Sequence, residues 1–162
     1  MWETLIIEDR DIGLKRAQLR IDGAAQALSQ SGYHYTEDLI WDAYWACAKV
    51  CSEIRDRGRD IPFDEQVRIF INSIKPDLSI KLPELTKQKI ACVYDQSFCV
   101  YPTPLHPDAL STLSRVKRER FKIGLISNTG MTPGRTVRSY MDKVGILQFF
   151  NVLVFSDEVH IA

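Results

Sequence analysis

Long apolar runs are missing from this chain: no uninterrupted stretch approaches the roughly 18 to 20 residues that a membrane-spanning helix needs, and the N-terminus has no basic segment leading into an apolar core. Neither a spanning segment nor a secretory leader is expected, and a cytoplasmic location is. A surplus of charge is missing too. Lys plus Arg and Asp plus Glu number 21 each, which removes the electrostatic argument for nucleic acid or an anionic membrane as a partner. Cysteine is sparse: Cys47, Cys51, Cys92 and Cys99 fall in helical-looking segments rather than in the short loops of a disulfide framework. A chain of 162 residues can build its own core, so they are read as reduced thiols. Their spacing is unlike the tight loops of structural zinc sites, and no metal is expected on them. Gly124, Gly130 and Gly134 do not make the glycine spacing of a dinucleotide fold, which ranks a nucleotide-binding sheet last among the readings.

What is present is, first, a set of helical periodicities. Leu14, Ala17, Gln18, Ile21, Ala24, Ala25 and Leu28 recur at three and four residues from about Arg10 to Ser31, with Gly32 at the place of a C-terminal cap. A second helix starts at Thr36 with Glu37 and Asp38 in its first turn and runs through Trp41, Tyr44, Cys47 and Cys51 to about Gly58. A third follows Pro62 and stops at Lys75-Pro76; a fourth opens at Pro83 and carries Ile90, Tyr94 and Phe98. Residues 10 to 100 therefore read as helical, without a convincing strand.

The texture changes at "YPTPLHP", where Pro102, Pro104 and Pro107 impose an extended connector before a helix from Asp108 to about Arg120. Beyond it come the apolar run "KIGLISN", a helix from about Pro133 to Val144 and the β-branched run "NVLVFSD". Helix, strand, helix, strand is the order of a parallel sheet with crossovers.

Ligands of open parallel sheets collect outside the carboxyl ends of the strands, where loops leave and the next helix directs unpaired backbone N–H groups at the same space. Ser127, Asn128, Thr129 and Gly130 occupy that place. Hydroxyl, amide and backbone donors there can hold a phosphate or carboxylate, or they can simply turn the chain and cap the following helix.

The run "IGLISNTG", with "YPTPLHPDALSTLSRVKRERFK" before it and "VGILQFFNVLVFSDEV" after it, resembles the second motif of the haloacid dehalogenase (HAD) superfamily and its surroundings, over roughly residues 100 to 162. "MWETLI" is similar to the end of that family's first motif, Asp-x-Asp-x-Thr followed by Leu. Trp2 then stands where the second Asp often is, Thr4 matches the Thr, and the nucleophilic aspartate would immediately precede Met1. The resemblance implies an incomplete α/β core, a three-layer Rossmann-like parallel sheet made from residues 1–9 and 101–162, with residues 10–100 inserted as an α-helical cap.

The resemblance also implies a mechanism and a partner. An aspartate attacks a phosphate ester or a haloacid, both small molecules, and water breaks the resulting aspartyl ester. Ser127 and Thr4 are the expected catalytic-site residues; Asn128, Thr129 and Trp2 are the expected substrate-binding ones. Indole cannot replace an aspartate as general acid, whereas dehalogenating relatives carry an aromatic residue there, so Trp2 is compatible with them. Mg²⁺ is implied only for a complete protein that is a phosphatase, and no cofactor for these residues alone. The third-motif lysine would follow a sequence like "SDEVHIA", and the fourth-motif acidic residues come later still. The expectation is thus a fragment open at both ends and without turnover. A non-catalytic interaction module of the same fold is the alternative, and periodicity says nothing about substrate identity or oligomeric state.

Overall fold

The computed structural model describes residues 1–162. Helix α1 (Arg10–Gln30) starts at Asp9, whose carboxylate accepts the Asp11 amide at 2.7 Å, and ends before Gly32 at φ +82°. Its buried face comprises Arg16, Ala17, Arg20, Ile21, Ala24, Ala27 and Leu28. That is a rotation of the expected stripe: Leu14 is exposed, because two arginines turn inward instead.

Helix α2 (Glu37–Arg55) is capped by the Thr36 hydroxyl, which accepts the Leu39 amide at 3.4 Å. α3 (Phe63–Ile74) follows Pro62, and a one-turn helix α4 (Leu78–Lys81) leads into α5 (Glu84–Val100) behind Pro83. These helices share one apolar core in which Ile21, Leu28, Ile40, Phe70, Ile71, Ile90 and Tyr94 are almost wholly buried. Cys47 and Cys51 belong to that core, with Sγ atoms 4.0 Å apart, and their hydrogen bond together with burial pushes the Cys47 thiol well up. Cys92 and Cys99 are exposed.

After the connector, α6 (Ala109–Arg118) precedes β1 (Gly124–Ser127), α7 (Gly134–Lys143), a 3-10 turn at Leu147–Phe149, β2 (Val152–Phe155) and a one-turn helix α8 (Ser156–Val159). β1 and β2 pair in parallel, Gly124 opposite Val152 and Ser127 opposite Phe155, with α7 as the crossover. Leu113, Leu125, Val137, Met141, Ile146 and Phe155 fill the core between sheet and helices. The protein is therefore mostly helical with a small parallel sheet, an incomplete α/β core carrying a large helical unit. No helix is long and apolar enough to cross a membrane.

The first residues do not join the two-stranded sheet. Met1 to Leu5 form a tight turn, with Glu3 at φ +54° and the Leu5 amide bonded to Met1 O at 2.9 Å. The chain then runs beside the connector: Ile6 bridges Leu105, and the His106 amide donates to Leu5 O at 2.8 Å. Ile6, Phe98 and Tyr140 close a small cluster here, on which the Trp2 ring stands edge-on to Phe98 at 5.7 Å.

Candidate functional site

β1 ends on Ser127, whose hydroxyl donates to the carbonyl of Asn128 at 3.2 Å. The loop then turns tightly: the Thr132 amide donates to Thr129 O at 3.2 Å, and Gly130 takes φ +60°, a conformation that a residue with a Cβ rarely adopts. The amides of Gly130 and Met131 have no acceptor in the protein. α1 and the C-terminal part of α2 lie across from this loop, and between them is a cavity of about 420 Å³. Asn128 to Thr132 form one wall; Trp2, Arg16, Arg20, Tyr44 and Arg55 form the others.

Three guanidinium groups facing one cleft need partners, and they differ in what they have. Arg16 is paired with Glu8, donates to the Thr103 hydroxyl at 3.3 Å, and lies against the rings of Trp2 and Phe98. Arg55 donates to Gly130 O at 2.8 Å and has Nε 3.2 Å from Asp60 Oδ1, although that N–H is not aimed at the carboxylate. Arg20 is only 4% exposed, and its hydrogen bonds go to neutral hydroxyls: Ser97 at 2.8 Å, Tyr44 at 3.2 Å and Thr132 at 3.3 Å. Its charge is buried without a carboxylate to balance it, which leaves the cleft with a net positive potential.

The expected site residues separate on this geometry. Trp2, Asn128 and Thr129 line the same cleft, although more than a hundred residues separate the first from the others in the chain. Ser127 is buried behind the loop and does not line it. Thr4 is exposed, and its hydroxyl donates to Trp2 O at 3.3 Å, inside the N-terminal turn. Tyr44 is the member of the Trp41, Tyr44 and Trp45 cluster that reaches the cleft, while Trp41 and Trp45 stack on each other at 6.2 Å. Arg16, Arg20 and Arg55 are new to the site; two of them betray themselves in sequence only as charges on the apolar stripe of α1.

The helix after β1 is less available than its position suggests. The amide of Gly134 is taken by the Asp157 carboxylate at 3.1 and 3.2 Å, so the start of α7 is already capped by an internal anion. Burial pushes the Asp157 carboxyl above the ordinary carboxylate range, against the pull of those bonds. Arg135, in the first turn of α7, is held by Asp95 at 2.9 Å and points away from the loop.

Mg²⁺ does not fit the side chains assembled here. A hard cation wants carboxylate oxygens, the cleft wall offers only Glu8, which Arg16 holds, and no group of three or more His, Cys, Asp or Glu converges anywhere in the chain. A larger recess of about 500 Å³, between α3, α4 and α5, lies away from the strand ends. Its cations, Arg68 and Lys87, are matched by Glu65 and Glu84, so it lacks the unbalanced charge of the cleft.

Fold and cleft together define an α/β protein whose helical unit meets the carboxyl end of a parallel strand across a cationic cavity. No family model and no curated protein matches the sequence. Several solved structures are similar to it, two of which show the extent of the likeness. One, from Haemophilus somnus 129PT and provisionally assigned as a phosphoglycolate phosphatase, is 13% identical over 86% of this chain and 56% of its own, with a TM-score of 0.44. The other, from Thermotoga maritima and provisionally assigned as a β-phosphoglucomutase, is 20% identical over 87% of this chain and 55% of its own, with a TM-score of 0.46. The chain thus spans little more than half the length of either.

Proposed function

We propose that the cleft is the substrate site of a HAD-like hydrolase acting on a small anionic molecule, a phosphate ester or a haloacid, with residues 10–100 serving as its cap. The observation that carries the reading is Arg20: a buried guanidinium, bonded only to hydroxyls, beside a loop whose Gly130 and Met131 amides have no acceptor. An anionic group placed there balances the charge and takes both sets of donors. Asn128 and Thr129 form the wall next to it, and Ser127 holds the loop through Asn128 O. Trp2 closes the cleft opposite, and Thr4 secures the turn that presents it.

Chemistry needs a nucleophile as well, a role that the resemblance gives to an aspartate, and no aspartate lines the cleft. The one carboxylate on the cleft wall, Glu8, is engaged by Arg16. Residues 1–162 therefore bind the anion without turning it over. Calorimetry with inorganic phosphate and with 2-chloropropionate tests the site. Wild type should bind at least one of them, and Arg20→Met should weaken that binding by about ten-fold or more, the usual scale for losing a hydrogen bond to a charged group. Binding unchanged by the substitution, or absent in the wild type, would refute the reading. A panel assay with p-nitrophenyl phosphate and a 2-haloacid should show no saturable hydrolysis.

A second reading, a non-catalytic interaction module of the same fold, draws support from the uncovered outer face of the sheet, where Ile126 is 82% exposed. It expects no anion dependence on Arg20.

A further inference from the structure

We infer that Asp60, acting through the hydroxyl of Ser156, is a positioning residue for the anion-binding loop. The inference rests on the hydrolase reading and adds to it two residues that do not line the cleft.

Asp60 follows α2, and its side chain is fully buried. Oδ1 accepts the Ile61 amide at 2.9 Å and lies near Arg55; Oδ2 accepts the Ser156 hydroxyl at 2.6 Å. An ionised carboxylate only accepts, so Ser156 must spend its one proton on Asp60. Its lone pairs are then turned to Thr129, whose amide donates to Ser156 Oγ at 3.1 Å. A trans peptide points its C=O opposite its N–H. Fixing the Thr129 N–H therefore fixes Asn128 O, the acceptor of the Ser127 hydroxyl.

The next pinned peptide is held from the same side. Arg55 donates to Gly130 O at 2.8 Å, which by the same geometry turns the Met131 N–H away from Arg55. Two peptide planes of one loop are thus set by the segment that closes α2: the second orients the Met131 amide, which has no acceptor in the protein, and the two flank the peptide that carries the free Gly130 amide. A buried carboxylate is an expensive way to fill space, since apolar residues of similar volume pack at least as well. Its use here is directional: it dictates which way a serine hydroxyl points.

The relay makes a prediction that packing alone does not. In the 162-residue chain, Asp60→Asn and Ser156→Ala should each weaken inorganic phosphate binding by about ten-fold, the cost of misaligning one set of donors to a charged ligand. The double variant should bind no more weakly than either single one, because both break the same chain of bonds. Ser156→Thr, which keeps the hydroxyl, should bind like the wild type. Amide hydrogen exchange at Thr129 should speed up about ten-fold or more in Asp60→Asn and Ser156→Ala alike.

Additive losses in the double variant would show that Asp60 acts independently of Ser156 and overturn the relay. Unchanged exchange at Thr129 would overturn it as well. Failure of the wild type to bind phosphate or 2-chloropropionate would instead overturn the hydrolase reading, with the exchange rates still deciding whether Asp60 sets the loop. Should Asp60→Asn not fold, Ser156→Ala and Ser156→Thr carry the same comparison.

Discussion

Asp157 is a buried carboxylate whose partners are the Gly134 amide and the Thr129 side chain rather than a cation. It accepts the Gly134 amide with both oxygens, at 3.1 and 3.2 Å, yet the loss of water outweighs those bonds and its carboxyl is pushed above the usual range. A folded-state value above the unfolded one means that the folded protein holds the proton more tightly. The associated stability is fully present below the unfolded carboxylate value of about 4 and is lost as pH rises through the folded value. Asp157→Asn keeps an acceptor for Gly134 and removes the charge. The melting temperature of the variant relative to wild type should therefore rise between about pH 4 and pH 7; a difference that stays flat across that window would show that burial does not govern this group. The site arginines were harder to read than the loop. Asn128 and Thr129 announce themselves by following a short apolar run, whereas Arg20 shows only as a charge within the Ala17, Ile21, Ala24 and Leu28 stripe, and Arg55 as one more basic residue at a helix end. Side-chain direction at a helix end depends on what packs above it, which periodicity does not contain.

The elements themselves were largely written in local chemistry. Thr36 and Asp9 cap where hydroxyl and carboxylate side chains should, Pro62, Pro83 and Pro133 stand just ahead of three helices, and Gly32 and Gly58 take positive φ after two others. The short pieces were not legible. α4, α8 and the 3-10 turn hold three or four residues each, too few to show a period and too short to be stable without the contacts of the folded chain. One position reverses the ordinary propensity rule. Gly23, in the middle of α1, faces Val93 of α5, and a Cβ there would lie 2.5 Å from Val93 Cγ1. Alanine would gain up to about 1 kcal/mol in helix propensity, but the overlap forces α1 and α5 apart at a cost of about 1 to 3 kcal/mol. Gly23→Ala should lower stability by about 1 kcal/mol on the scale of such overpacking, and pairing it with Val93→Ala should restore much of the loss. Urea denaturation of the two variants measures both; a stabilised Gly23→Ala would mean that the helices separate freely.

At the scale of the whole molecule, two cores of unequal quality meet at the cleft. The helical unit buries 19 residues in one cluster, whereas the sheet buries six between β1, β2, α6 and α7. The other face of the sheet is largely uncovered: Ile126 is 82% exposed, and Val152, which lies on the same face opposite Gly124, is 55% exposed. Strand residues alternate between faces, so these side chains point away from Leu125 and Phe155 and cannot be drawn into the existing core by any change of rotamer. An apolar surface of this kind binds environment-sensitive dyes and favours association at high concentration. Ile126→Lys removes the largest exposed member without touching a buried atom. The substitution should reduce 8-anilinonaphthalene-1-sulfonate fluorescence and raise solubility while leaving the melting temperature within a few degrees of wild type, as expected for a surface change of about 0.5 kcal/mol or less. Dye binding that persists undiminished in the variant would place the exposed apolar surface elsewhere, on the helical unit, where Ile80 and Leu85 are the alternatives.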